Sequence, residues 1–296
     1  MKSGFVSILG RPNVGKSTIL NGIINKKVSI VTDKSQTTRN VIRGIYHGEN
    51  SQIIFLDTPG IHKPHAKLGE EMNIMAYSSA HDVDVNILVV DASHPFNEGD
   101  EYLINHLDIN NAPLILVLNK IDQATIVEVN ELKSTYKVVL PKAVVEETVA
   151  KDKFNLDVLI KTIEDLLPEG PEYYESDVIT DKDEVFMIKE IIREKVLKNL
   201  RDEVPHSIAI FVNDIDYEAN PIHILATIIV EKESQKGIVI GKGGKMIKLI
   251  GTKARESIEK QLKKHVHLEL RVKVQEDWRN DDSQLEKYGY KAKSKK

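Results

Sequence analysis

A chain of 296 residues with 41% hydrophobic content is long enough for two packed cores, since domains cluster near ~100–200 residues. The absence of cysteine excludes a disulfide framework and thiolate metal sites and suits a reducing, intracellular setting. The net charge of −4 hides a split of −4 over residues 1–168, −5 over 169–183 and +5 over 184–296, with 9 basic against 2 acidic residues inside 236–264, a local excess suited to a phosphate backbone.

The N-terminal MKSGFVSILG is too short for a signal peptide or a membrane span, and no later apolar run approaches ~18 residues, so a soluble protein is expected. From Phe5 to Pro168, the runs FVSIL, IIFLD, NILVVD and PLILVLN alternate with helix-length segments. That rhythm predicts an α/β domain over 1–168, a mostly parallel sheet with helices on both faces.

The first strand runs into GRPNVGKST, residues 10–18. Gly10, Gly15, Lys16 and Ser17 satisfy G-x-x-x-x-G-K-[ST] between a strand and a helix, with Arg11, Pro12, Asn13 and Val14 filling the loop and Thr18 following it. Backbone N–H groups and the positive helix end form a phosphate site there, Lys16 reaches the β and γ phosphates, and the Ser17 hydroxyl ligates Mg²⁺. In FLDTPG, Asp57 ends an apolar strand where a carboxylate can hold Mg²⁺ through water, and Gly60 can offer its N–H to a γ phosphate. His62 and His65 follow and are read as ordinary surface histidines. In LVLNKID, Asn119, Lys120 and Asp122 sit just past a buried strand, at the carboxyl edge where α/β sheets bind ligands. The Asp122 carboxylate can accept from N1–H and the 2-amino group of guanine, donors that adenine lacks.

Residues 169–183, PEGPEYYESDVITDKD with its leading Pro168, combine Pro, Gly and acids without apolar period and read as an acidic linker. Over 184–280 the order α-β-β-α-α-β is expected, with HVHLELRVKV as its last strand. Its tetrad Gly241, Lys242, Gly243, Gly244 fits the GxxG loop of KH domains, where absent side chains let a nucleic-acid backbone approach. Ile240, Ile247 and Ile250 are expected to line the adjoining apolar groove, and Lys242, Lys245 and Lys248 to supply charge for single-stranded RNA. Residues 281–296 form an extension with the basic tail KAKSKK, expected to be disordered.

GRPNVGKST, QTTR, DTPG, NKID, PEGPEYY and VIGKGGKMIKLIG together make the chain resemble the Era family of bacterial GTPases over nearly its full length. The resemblance implies a P-loop GTPase domain followed by a type II KH domain, binding GTP or GDP with Mg²⁺ and hydrolysing GTP. It places Thr38 of QTTRN at the Mg²⁺ beside Ser17 and Asp57, with Thr37 left open as the alternative, and makes Lys16, Thr38, Gly60 and Asn13 the catalytic group. Ile61 stands where Ras-like enzymes carry a water-orienting Gln, so slow unaided hydrolysis is expected. Related GTPases with a P-loop Asn imply K⁺ held with the help of Asn13. The family's Ser-Ala before the last helix corresponds to TVAKDKF, with Ala150 as the candidate whose N–H meets the guanine carbonyl, and loss of the Ser implies weaker or faster-exchanging nucleotide.

The implied partner is the 3′ end of 16S ribosomal RNA in assembly of the small (30S) subunit, a role tied to cell growth and division. The implied setting is a cytoplasmic monomer with peripheral contact at the inner face of the membrane. Two other functions stay open, a non-catalytic RNA-binding protein with a structural nucleotide site and a GTPase acting on another RNA such as a transfer RNA.

Overall fold

The computed structural model describes residues 1–107, 112–201 and 204–291; the tail KAKSKK lies outside the described residues from position 292 onward. The chain divides into two compact units, one of Met1–Val31, Ser35–His65 and Gly69–Asp181, the other of Thr32–Lys34, Ala66–Leu68 and Lys182–Lys296. Among the described residues no helix is long and apolar enough to cross a membrane.

The first unit runs β1 (Lys2–Gly10), α1 (Lys16–Ile24), β2 (Ile42–His47), β3 (Ser51–Asp57), α2 (Lys67–His81), β4 (Val85–Asp91), α3 (Glu98–His106), β5 (Leu114–Asn119), α4 (Ile126–Val139), β6 (Val144–Thr148) and α5 (Leu156–Leu166). Its strands order as β2-β3-β1-β4-β5-β6, with β2 antiparallel to β3 and the remaining pairs parallel. Successive strand residues face opposite sides, so Ile8 packs with Ile19, Leu20, Leu159 and Ile163 of α1 and α5, while Leu9 packs with Ala76, Leu103 and Leu132 of α2, α3 and α4. Burial on both faces explains why β4 and β5 read as continuous apolar runs rather than alternating ones.

Residues 169–181, expected as an acidic linker, are fastened along the β2–β3 side of this sheet. Glu169 bridges Lys2 and Thr180 bridges Gly44. The buried Gln52 accepts from the Tyr173 and Tyr174 amides (2.7 and 3.1 Å) and donates to the Tyr174 carbonyl (2.7 Å), and Tyr173 packs edge-on to Phe5. The backbone of a Pro- and acid-rich stretch still needs hydrogen-bond partners, and the sheet edge supplies them.

The second unit runs α6 (Glu184–Asn199), β7 (Ala209–Asp216), β8 (Ile222–Val230), α7 (Glu233–Ile240), α8 (Lys245–Leu262), β9 (Val266–Val274) and α9 (Asp282–Lys287). This is the expected α-β-β-α-α-β order, with sheet β7-β8-β9 antiparallel then parallel. Asp183 caps α6 by accepting from the Phe186 amide (2.7 Å). Ile188, Ile192 and Val196 of α6 and Ile250, Ala254 and Ile258 of α8 are fully buried, four-residue spacings that give each helix one apolar stripe. After β9, Trp278 is sealed in with its indole N–H on the Ser207 carbonyl (2.9 Å), and Leu285 and Tyr290 of the extension are buried as well.

Candidate functional site

In the first unit, the carboxyl ends of β1, β3, β4 and β5 bring the predicted nucleotide residues to one edge. β1 lies between β3 and β4, the point where strand order reverses and α/β sheets open a ligand crevice. The loop from β1 to α1 turns through left-handed conformations at Gly10 (φ 148°), Asn13 (φ 65°) and Gly15 (φ 107°). A Cβ on Gly10 would collide with the Val89 carbonyl and one on Gly15 with the Asn119 amide, so both positions need glycine twice over. α1 begins with neither a side-chain cap nor an acid in its first turn, which leaves its first amides to an anion.

Lys16 folds back over this loop, donating to the carbonyls of Gly10 (3.0 Å) and Arg11 (2.8 Å). Burial pulls its pKa down to about 8, with the nearby Asp57 carboxylate acting in the opposite direction. A buried ammonium held by neutral carbonyls has room for an anionic partner. Arg11 points elsewhere, its guanidinium donating to Asn97 (2.7 Å) and Asp100 (3.3 Å) at the start of α3. Thr18, the third residue of α1, is half-buried and Val14 is in the core.

Around Asp57 the structure collects the hydroxyls expected for a metal. Ser17 Oγ donates to Asp57 Oδ2 at 2.7 Å, Ser29 Oγ donates to the same oxygen at 2.8 Å, and Thr38 Oγ1 lies 2.9 Å from Ser17 Oγ. Thr38 is buried beside them while Thr37 is half-buried. Asp57 Oδ1 is buried with no hydrogen-bond partner. Burial pushes the Asp57 pKa up, and Ser17, Lys16, Ser29 and Thr38 oppose the rise. An orphaned carboxylate oxygen with two hydroxyls grouped on its sister oxygen fits a hard divalent cation that prefers oxygen ligands. Ser29 is not foreseeable from sequence, because no motif marks it.

Gly60 lies against the loop, where an added Cβ would come within 2.7 Å of the Pro12 nitrogen. Ile61 is fully buried among Leu9, Ala76 and Leu88, with its N–H on the Gly10 carbonyl (3.1 Å). The side chain after DTPG therefore serves the core. His65 is exposed, whereas both ring nitrogens of His62 are engaged, by Gly60 and Gln36.

Asn119 is the hub on the base side. Its amide donates to the Val14 carbonyl (2.8 Å) and its oxygen accepts from Thr148 Oγ1 (3.1 Å) and the Ala150 N–H (3.0 Å). The Ala150 N–H, expected to face the guanine carbonyl, thus donates within the protein and fixes Asn119. Lys120, left-handed at φ 65°, reaches back to the Asn13 carbonyl (2.8 Å) and to Asp91 Oδ2 (2.6 Å). Burial works against the Asp91 charge, but Lys120 and Ser93 together hold its pKa below the usual carboxylate range. Sequence reasoning misses Asp91, although an Asp ending NILVVD carries the same strand-end signal as Asp57. Asp122 is exposed in the short 3₁₀ turn Ile121–Gln123, open to a ligand.

In the second unit the GxxG turn joins α7 to α8. Gly241, Gly243 and Gly244 all have positive φ (72°, 60° and 75°). A Cβ on Gly241 would strike Met246, whereas nothing lies within 4 Å of one on Gly243 or Gly244, so the outer surface of the turn is open. Lys242, Lys245 and Lys248 are exposed and Ile240 is half-buried. Beside the turn a groove of about 380 Å³ is walled by Ile247, Lys248, Gly251 and Arg255 of α8 and by His267 to Leu270 of the edge strand β9. Ile250 is not part of it: the expectation that it lines the groove is corrected by its complete burial, because it belongs to the buried α8 stripe with Ala254 and Ile258.

A phosphate loop, a hydroxyl-and-carboxylate cluster and an NKID edge on one unit, with a GxxG turn and groove on the other, define a P-loop GTPase joined to a type II KH module. Residues 5–120 match the family described as 50S ribosome-binding GTPase, and residues 203–279 match the KH domain. The chain is 46% identical over 291 residues, 98% of each chain, to GTPase Era of Carboxydothermus hydrogenoformans. It is also similar to a crystal structure of Era in complex with MgGDPNP and nucleotides 1506–1542 of 16S ribosomal RNA (TM-score 0.94, 40% identity, 98% of this chain and 99% of that one). A third likeness is to a single-substitution variant of Aquifex aeolicus Era bound to GDP·AlF4⁻ (TM-score 0.92, 39% identity, 98% and 99%). The chain belongs to the Era family of GTPases.

Proposed function

We propose that the chain hydrolyses GTP with Mg²⁺ held by Ser17, Thr38 and Asp57, and that the bound nucleotide controls how the KH unit grips a single-stranded segment near the 3′ end of 16S ribosomal RNA during small-subunit assembly. The observation that carries the reading is the buried Asp57 Oδ1 without a partner, beside Ser17 and Thr38. When bound, Mg²⁺ would neutralise charge on the β and γ oxygens. Lys16 exchanges its carbonyl partners for phosphate oxygens, the amides from Asn13 to Thr18 cradle the phosphates, and the Gly60 N–H meets the γ phosphate. Asn119 and Lys120 shape the base site, Asp122 accepts from guanine, and Ala150 acts through Asn119. The relative whose structure holds MgGDPNP and ribosomal RNA supports both halves of the proposal.

On this reading a G domain over 1–168 and a KH domain over 184–280 are joined through 169–183. The RNA backbone passes over Gly243 and Gly244, held by Lys242, Lys245 and Lys248, with bases in the groove between Ile247 and β9. With Ile61 in the core, no side chain at that position orients water, so K⁺ held with the help of Asn13 supplies positive charge and hydrolysis without it is slow. The protein acts as a cytoplasmic monomer, its basic 236–264 surface suited to peripheral contact with the inner face of the membrane.

The experiment is a titration of an oligonucleotide copying the 3′ end of 16S ribosomal RNA at fixed salt with GTP analogue, GDP and no nucleotide. Tighter binding with the analogue supports the switch, and equal binding in the three states overturns it. Burial of Ile61 favours a second reading, a non-catalytic RNA-binding protein with a structural nucleotide site. GTP turnover with and without K⁺ and RNA separates the two.

A further inference from the structure

His62 is placed as a relay between two segments that both border the γ-phosphate position. The Gly60 carbonyl can only accept, so the 2.9 Å contact from His62 Nδ1 requires the proton on Nδ1. Nε2 of the neutral ring is then an acceptor, and it lies 2.9 Å from the Gln36 amide nitrogen, which donates to it. Gln36 adopts a left-handed backbone, φ 58°, uncommon for a residue of its kind and costing on the order of 1 kcal/mol, and this turn delivers its amide to the ring. The His62 backbone is held by α2: the buried Asn73 donates to the His62 carbonyl (2.8 Å) and its oxygen accepts from the His62 N–H (3.4 Å). The Gly60–Ile61 peptide is thereby gripped at both ends, its carbonyl by His62 and its N–H by the Gly10 carbonyl of the phosphate loop.

We propose that His62 is a positioning residue of the nucleotide switch, coupling the Gln36–Thr38 segment to Gly60 through the chain Gln36 amide, His62 ring, Gly60 carbonyl. Displacement of Thr38 on gain or loss of the γ phosphate moves Gln36, two residues away, and the imidazole passes that movement to the Gly60 peptide. Nothing in the sequence marks this pair, since Gln36 and His62 lie 26 residues apart and the hydrogen bonds of the ring go to Gln36 and Gly60 rather than to the three proposed metal ligands. The inference rests on Thr38 and Gly60 sensing the γ phosphate.

The test measures the ratio of GTP-analogue to GDP affinity in the full chain for the wild type, His62→Ala, His62→Asn, Gln36→Ala and the His62→Ala/Gln36→Ala pair, each checked for folding by its thermal melt. Asn keeps a donor near the Nδ1 position but lacks the acceptor at Nε2, so His62→Asn should match Gln36→Ala. Each single variant is expected to lower the ratio by about fivefold to tenfold, in the range of ordinary coupling between sites, and the double variant should fall no further than His62→Ala. A merely structural role would lower both affinities alike and leave the ratio in place, which overturns the coupling through His62, as do fully multiplicative effects in the double variant. A wild type that does not discriminate the two nucleotides overturns the coupling through His62 and the proposed switch together, whereas a discriminating wild type with unmoved variants overturns the coupling alone.

Discussion

The chain carries two glycine-punctuated turns leading into helices, and they are built to opposite ends. In the phosphate loop the carbonyls of Gly10, Arg11, Asn13 and Val14 are all taken by Lys16, Lys120 and Asn119, and its glycines are hemmed in by Val89 and Asn119. In the GxxG turn Gly243 and Gly244 face open space and the lysines around them are exposed. A small, highly charged ligand is best held where water is excluded and donors are fixed beforehand, because electrostatic interactions strengthen in a drier site. A polymer backbone must be able to pass through, so its site needs an open surface with solvated charge, and its affinity then depends on salt. The same residue type therefore serves enclosure in one turn and access in the other.

The largest expected effect breaks the enclosed site. Asp57→Asn removes the charge whose Oδ1 is unpartnered, and should lower GTP turnover by about 100-fold or more, given that metal charge stabilisation is worth several kcal/mol. RNA binding without nucleotide should be unchanged, and a phosphate-release assay beside an RNA titration measures both. Gly243→Asp breaks the open site instead, putting a carboxylate where the phosphate backbone is to pass. Like charge in an interface costs several kcal/mol, so RNA affinity should fall on the order of 100-fold in a filter-binding titration while GDP affinity holds.

The next prediction sharpens the contrast through pH. Burial keeps Lys16 at about 8 in the free protein, and a bound phosphate raises its pKa by favouring the charged form. Below that value the ammonium is already protonated and affinity is flat. Above it binding must take up a proton, so nucleotide affinity should decline toward about tenfold per pH unit. Calorimetry in buffers of different ionisation enthalpy counts that proton, and no uptake about one unit above that pKa would contradict the assignment. The smallest effect concerns the base side: Asp91→Asn removes the carboxylate charge that pairs with Lys120 and should weaken GDP binding about fivefold, the upper end for a partly exposed ion pair, as read by fluorescent-nucleotide displacement.

What was legible in the sequence follows how local each feature is. The phosphate loop, DTPG, NKID and GxxG are contiguous, and each needs particular residue types at fixed spacing to make its backbone conformation, so Lys16, Ser17, Asp57, Asn119 and the GxxG glycines sit where the pattern puts them. Residues whose position depends on a distant partner are not readable in this way. Asp91 meets Lys120 because β4 ends beside it, Ser29 reaches Asp57 from another segment, and the His62 ring meets Gln36 only because the chain folds the two together. Ile250 departs from expectation for a related reason: apolar character alone does not say which side of α8 faces the groove, although its alignment with Ala254 and Ile258 marks the buried stripe.

The amino-acid sequence by itself determined that one unit would be a doubly covered α/β sheet with a phosphate loop and the other an α-β-β-α-α-β module with a GxxG turn, because hydrophobic period and turn chemistry act over neighbouring residues. Only the tertiary structure decided that Thr38 reaches Ser17, that Ile61 is a core residue, that the Ala150 N–H serves Asn119, and that residues 169–181 lie bound to the sheet edge. Those outcomes depend on which groups meet across large sequence separations, and hydrogen-bond satisfaction and burial make that choice after the chain has folded.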